Sequence, residues 1–365
     1  MISKVSILRI RIGSQADDNS RLIVSSLLRG VSTSAFFVCC YRDDDVKPGD
    51  IFSTWLENLD ACGMEKIEVD RLAVEGVNEL VSETLRAFPR ITLPLSTQLH
   101  AKTRGNPLFL RQFIESLHSQ GLIFLRLNPP LWAWDLERIS NVELPVSVVA
   151  LLIEEMRTLP TELIEGLRVV SCLGSGVKKE ALDVVLSEMG RTLADVQDDL
   201  IKRGYLEEVN GSEVRFTHDK VQQSAYETMS VVDQRRLHNR LGLILCTQVS
   251  LDDSLLFSAV TQVNLGGVDT TLGGRKRASI AALNLKAGHQ AKDLSAFGSA
   301  LRFFQSGILW VPAEERWSTD YATSLALHVS AVETACLLNN LAVVTKLTEE
   351  VAANATSDED KIACE

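Results

Sequence analysis

Tyr205-Leu206-Glu207-Glu208-Val209-Asn210-Gly211-Ser212-Glu213-Val214-Arg215-Phe216 reads as two short strands turning through Asn-Gly, the strongest short-range hairpin signal. Asn and Gly tolerate the positive φ that such a turn demands, and apolar residues flank it on both sides. Upstream, helical patterning covers residues 145–158, 161–172 and 179–186, and 192–204 continues it. Helices followed by a hairpin form the winged-helix arrangement, so residues 145–230 read as a small domain of that kind.

Working outward toward the end of the chain, every segment is helical. Phe297, Ala300, Leu301, Phe304 and Ile308 recur at i, i+3, i+4 and i+7 spacing, after an alanine-rich helix at 278–291. A similar pair covers 321–338 and 341–353, with Val344, Leu347 and Val351 on one face. Helix pairs about forty residues apart point to tetratricopeptide-like repeats, whose usual period is about 34 residues. Two units are visible in the pattern.

Toward the start, α/β alternation takes over. Ala35-Phe36-Phe37-Val38-Cys39-Cys40-Tyr41 is a continuous apolar run, as in a strand buried on both faces of a parallel sheet. Helices at 19–30, 51–59 and 75–88 and a short strand at 66–69 complete the alternation. Helices at 94–102 and 107–119 follow, with Asn106 as the cap of the second and Pro107 in its first turn. Residues 121–126 and 131–136 read as a hairpin joined by Leu127-Asn128-Pro129-Pro130.

The 365 residues are 45% hydrophobic and 23% charged, enough for two or three globular domains. A formal net charge of -11 disfavours general nucleic-acid binding, and Arg275-Lys276-Arg277 is the single compact basic run. The 194–204 helix opposes Asp195, Asp198 and Asp199 to Lys202 and Arg203, a poor DNA-recognition surface. The seven cysteines are scattered without a Cys-x-x-Cys pair, so they read as reduced thiols of a cytoplasmic protein. Lys4, Arg9 and Arg11 interrupt the opening apolar stretch, and no segment reaches the roughly 20 apolar residues of a membrane span. No membrane association is expected.

Phosphate-loop chemistry requires Gly-x-x-x-x-Gly-Lys-Ser/Thr, whose backbone amides cradle phosphates while the hydroxyl holds magnesium. No stretch matches. The early strand candidate at 6–12 ends in Gly13-Ser14-Gln15, without the carboxylate that would orient a metal. His218-Asp219 raises a metal site or catalytic dyad, but a His-Asp pair leaving a strand for a helix is also a capping arrangement, which is the better reading. His100, His118, His238, His289 and His328 sit singly on predicted helices and read as packing or surface residues. Trp132 and Trp134 alternate on one face of the first predicted hairpin, as core packing would place them.

Six stretches occur together in one order: Ala16-Asp17-Asp18-Asn19-Ser20, Tyr41-Arg42-Asp43-Asp44-Asp45-Val46, Lys102-Thr103-Arg104-Gly105-Asn106-Pro107-Leu108-Phe109-Leu110, Leu131-Trp132-Ala133-Trp134-Asp135, Phe216-Thr217-His218-Asp219-Lys220-Val221-Gln222-Gln223-Ser224-Ala225-Tyr226 and Leu283-Asn284-Leu285-Lys286-Ala287-Gly288. In these the chain resembles the predicted AAA-type ATPase module of signal-transduction ATPases with numerous domains, which is linked to hybrid histidine kinases and cyclases. The resemblance implies an α/β remnant of a P-loop ATPase core at 1–90 lacking the phosphate loop, then a mainly α chain. That part comprises a helical lid and hairpin at 91–144, a winged helix at 145–230 and a tetratricopeptide-like helical region at 231–365. It also implies that Arg42 occupies the family's sensor position facing a terminal phosphate. Gly105, Asn106 and Pro107 match the family's Gly-x-Pro turn in the lid, which contacts the nucleotide base.

The similarity starts abruptly after Ser14, as in a truncated gene or a remnant. No cofactor is expected in this chain, whereas ATP and magnesium are expected in a full-length family member. The expected role is a regulatory or scaffold fragment, not itself catalytic, that contacts other protein domains through the helical repeat. An oligomer is compatible with this. The alternative is an ATP-hydrolysing switch, if the full-length protein restores the phosphate loop and the acidic strand.

Overall fold

Asn210 and Gly211 take up φ of 51° and 72°, the left-handed pair of a tight turn, with Ser212 completing a three-residue connection. They join β6 (Leu206–Val209) to β7 (Glu213–Phe216), numbering strands in chain order. The computed structural model describes residues 6–11, 21, 23–26, 35–41, 46, 48–60, 65–142, 147–190, 193–249 and 253–362. Over these residues the chain is mostly helical with small sheets. It divides into two compact units, Met1–Arg71 and Leu72–Glu365.

In the first unit β1 (Ser6–Arg11) pairs in parallel with β2 (Ala35–Cys40), Ser6 opposite Ala35 and Arg11 opposite Cys40. Parallel neighbours need a crossover of a dozen or more residues, and helical residues at 21 and 23–26 lie within it. Helix Ile51–Asp60 supplies Phe52, Trp55 and Leu59 to a small core with Val24. The Trp55 indole N–H donates to the Ser25 hydroxyl at 2.8 Å and the Arg21 carbonyl at 3.2 Å, so the ring is buried without an orphaned donor. The strand expected at 66–69 has no ladder among the described residues, and Ile67 and Val69 are 79% and 92% exposed. β propensity alone does not make a strand where no partner edge is offered.

The second unit begins with helices Val74–Thr84, Pro89–Thr103 and Pro107–Ser119. The first ends earlier than the sequence pattern predicts, because Arg86 turns left-handed at φ 48° and Phe88 caps the next helix. That next helix starts at Pro89 rather than Pro94. Pro89 suits a first turn, and the buried Asn78 side chain ties the start down, accepting from Thr92 and Ser96 at 2.8 and 2.9 Å and donating to the Pro89 carbonyl at 3.1 Å. Tertiary contacts thereby tolerate Pro94 inside a helix, against its local preference. β3 (Ile123–Leu127) and β4 (Pro130–Trp134) form the first hairpin, with a cis Asn128–Pro129 bond and a connection two residues shorter than predicted. Ile123, Trp132 and Trp134 pack on the core made by Val77, Leu95, Leu99, Leu110, Phe113 and Leu117.

Helix Val148–Arg157 precedes helices Thr161–Leu173, Lys179–Glu188 and Leu193–Lys202, which pack on the third sheet. β7 is its centre, with β6 on one side and β5 (Gly176–Lys178) on the other, an antiparallel strand that the pattern does not reveal. Three residues are too few for alternation to register.

Three antiparallel helix pairs follow among the described residues: Val231–Gln248 with Leu256–Gly266, Gly274–Asp293 with Phe297–Trp310, and Tyr321–Leu337 with Leu341–Asn354. Their first helices begin at Val231, Gly274 and Tyr321, spacings of 43 and 47 residues, so the period is longer than the tetratricopeptide one. Close approach is set by glycine. A Cβ on Gly242 would lie 2.5 Å from the Val263 amide nitrogen, and one on Gly288 would lie 2.2 Å from the Phe304 ring. No helix is long and apolar enough to cross a membrane, among the described residues.

Candidate functional site

The Gly105-Asn106-Pro107 turn sits where helix Pro89–Thr103 ends and helix Pro107–Ser119 begins. Arg104 and Gly105 are both left-handed, at φ 51° and 70°, and the Arg104 amide closes the first helix on the His100 carbonyl at 2.7 Å. Asn106 Oδ1 accepts from the Phe109 amide at 3.0 Å and Pro107 occupies the first turn, so both start the second helix. The Gly105 carbonyl accepts from the Leu72 amide at 2.9 Å, and a Cβ at position 105 would lie 2.0 Å from the Leu72 carbonyl oxygen. Only glycine fits. Lys102 anchors the same helix end, its ammonium donating to the Ser140 and Val142 carbonyls at 3.0 and 2.8 Å.

The Arg104, Asn106, Phe109 and Leu110 amides and the Gly105 carbonyl therefore have partners within the protein. Open concavities lie at 271–276 and 82–88, and neither includes a residue of the turn. Arg42, with Asp43, Asp44 and Asp45, lies outside the described residues. The structure thus brings together Gly105, Asn106 and Pro107 and does not place Arg42 relative to them.

His218 caps helix Asp219–Glu227, its Nδ1 accepting from the Lys220 amide at 3.0 Å. Among the described residues no three His, Cys, Asp or Glu side chains converge as a metal would require.

Two buried polar networks escape the sequence reading. His238 touches Gln262 Oε1 through Nδ1 at 2.7 Å and the Tyr226 hydroxyl through Nε2 at 3.0 Å, and Gln262 donates onward to the Cys172 carbonyl at 2.8 Å. This ties the first helix pair to helices Thr161–Leu173 and Asp219–Glu227. Asn264 and Asn284 exchange side-chain hydrogen bonds at 2.8 and 3.3 Å, and the Trp310 indole donates to Asn264 at 2.9 Å. Together these polar groups fix the register of the first two helix pairs.

At the last pair, Arg316 of the short helix Ala313–Thr319 pairs with Glu350, and the fully buried His328 donates from Nδ1 to the Ser324 carbonyl at 2.7 Å. Burial holds the His328 imidazole below the usual histidine range, and the Arg316 charge adds to this against the pull of Glu350, 3.4 Å from Nε2. The folded state then refuses a proton that the unfolded chain accepts below pH 6.5. Stability should fall as pH drops from neutral through that value, and His328→Gln should show a shallower fall in chemical denaturation curves. Equal slopes for both proteins would contradict the assignment.

No family model matches the chain. It is 21% identical, in a 356-residue alignment covering 80% of this chain, to hybrid signal transduction histidine kinase G of Dictyostelium discoideum. The match covers 10% of that protein, so the chain spans about a tenth of the length of this curated relative. Among solved structures it is similar to a signal transduction ATPase with numerous domains from Pyrococcus horikoshii that carries a tetratricopeptide repeat sensor. The identity is 15%, with 95% of this chain and 50% of that chain covered and a TM-score of 0.48.

Proposed function

We propose that this chain is a regulatory and scaffolding segment of an AAA-related signal-transduction ATPase and is not an ATPase by itself. In this reading residues 1–90 are the remnant of the α/β core, 91–144 the helical lid, 145–230 a winged-helix adaptor and 231–365 a tetratricopeptide-like partner-binding array. The observation that carries it is the turn at 105–107. Its left-handed glycine, capping asparagine and first-turn proline are consumed in joining two helices to the Leu72 backbone. The ordered set of sequence stretches and the likeness to the histidine kinase add support for a signalling context.

The second reading, an ATP-driven switch in a longer protein that supplies the phosphate loop and acidic strand, is favoured by the parallel pairing of β1 and β2. Arg42 follows β2 in sequence, and the carboxyl ends of parallel strands are where open α/β sheets bind ligands. ATP and magnesium would belong to that longer protein. Calorimetric titration of the present chain with Mg·ATP decides between them: no saturable heat is expected, and micromolar, magnesium-dependent binding would overturn the scaffold reading.

A further inference from the structure

Charge is unevenly distributed along this acidic chain. Between Glu227 and Glu314 there is no glutamate, and nine Lys and Arg face five Asp, a local excess of +4 within a total of -11. The remainder therefore carries -15. The local excess falls on the first two helix pairs.

The exposed positions of helix Gly274–Asp293 are 275, 276, 279, 282, 286, 289 and 293, a single stripe at helical spacing. That helix packs on Leu256–Gly266 on one side and on Tyr321–Leu337 on the other. Leu283 and Ala287 join the buried cluster of Leu241 and Leu245 from Val231–Gln248. On the other side, Lys292 pairs with Glu333 at 2.6 Å and His289 lies 3.5 Å from the Ser330 hydroxyl, both on Tyr321–Leu337. The stripe thus lies on the first helix of the middle pair. Arg236 and Arg240 are exposed one turn apart on Val231–Gln248.

Many of the other cations are committed. Arg277 pairs with Glu315 at 3.3 Å, and Arg236 has a loose contact with Asp233 at 3.8 Å. Among the described residues no carboxylate lies within salt-bridge reach of Arg235, Arg240, Arg275 or Lys276. Arg275 and Lys276 line the open concavity at 271–276, where the uncapped start of a 20-residue helix adds its own partial positive charge. The small side chains of Ser279 and Ala282 leave room over the middle of the stripe for an extended backbone.

We propose that this basic face of the first helices docks an extended, carboxylate-rich segment of a partner protein. The proposal rests on the scaffold reading and gives its partner a chemistry. A single-stranded nucleic acid fits the face less well, because the exposed phenylalanines among the described residues, Phe88 and Phe124, lie outside the stripe and offer it no stacking platform.

The test is fluorescence anisotropy of the whole chain with a labelled peptide of alternating glutamate and serine, its glutamine counterpart, and single-stranded DNA of equal charge. The glutamate peptide should bind, weaken as salt is raised, and lose about tenfold in affinity in the Arg240→Ser, Arg275→Ser, Lys276→Ser triple variant. All three positions are on the surface, so circular dichroism should show the fold intact. Equal affinity for the glutamine peptide, undiminished binding by the variant, no binding, or tighter binding of the DNA would each overturn the proposal. Failure here with no Mg·ATP binding leaves the scaffold reading standing, whereas micromolar Mg·ATP binding removes that reading whatever the peptide does.

Discussion

Gly105→Ala should destabilise the chain by about 3 kcal/mol, read as a lower denaturation midpoint without a change of slope. Two costs combine. The position lies at φ 70°, which a β-carbon disfavours, and the added atom would sit 2.0 Å from the Leu72 carbonyl oxygen. Because the obstacle is backbone rather than the tip of a flexible side chain, relief requires Leu72 to move and the 2.9 Å hydrogen bond from its amide to Gly105 to break. Asn106→Ala provides the scale. It removes one cap, to the Phe109 amide, and should cost about 1 kcal/mol, while Asn106→Ser should be nearly neutral. If Gly105→Ala were as mild as Asn106→Ala, the turn would not be the joint described above.

Glu350→Gln should cost about 2–3 kcal/mol, because it leaves the Arg316 guanidinium buried without its counter-charge. The Arg316 side chain is 10% exposed and Glu350 26%, so neither is freely solvated. Arg316 keeps one hydrogen bond to the Val311 carbonyl at 3.3 Å, while its Nε has no partner even in the intact protein. Burial alone would raise the Glu350 carboxyl, but Arg316, with His328 beside it, more than offsets this and holds it below the ordinary range. Removing the carboxylate also frees His328 Nε2 of its one anionic neighbour. The contrast is the cross-strand pair Glu207 and Arg215, 44% and 53% exposed, where Glu207→Gln should change stability by less than about 0.5 kcal/mol. Urea titrations of the two variants should separate them clearly.

What could be read from the sequence was local chemistry with a strong conformational demand. Asn106 and Pro107 announce a helix start and Asn210-Gly211 a hairpin, because each residue type is matched to one backbone geometry. Strand β5 of the third sheet and the helix start at Pro89 depend on neighbours outside their own stretch of sequence, so local patterning does not reveal them. The first helix pair lost its periodic signature for a related reason. His238 and Gln262 occupy buried positions that look like surface ones, and Gly242 looks like a breaker although it marks the contact with Val263.

The turn at 105–107 illustrates the same limit for function. Its residue types fit a nucleotide-contacting loop and a helix junction equally well, and only the approach of the Leu72 backbone distinguishes the demands placed on Gly105. The basic stripe was legible only in part. Arg275-Lys276-Arg277 stands out in the sequence, but that Arg277 is paired depends on Glu315, far along the chain.

Amide hydrogen exchange of the chain across residues 101–112, with and without Mg·ATP, bears most directly on the scaffold reading. Exchange at the Arg104, Asn106, Phe109 and Leu110 amides should be the same in both conditions, since their partners are within the protein. Nucleotide-dependent protection confined to this turn would contradict the account and return Gly105, Asn106 and Pro107 to a nucleotide site.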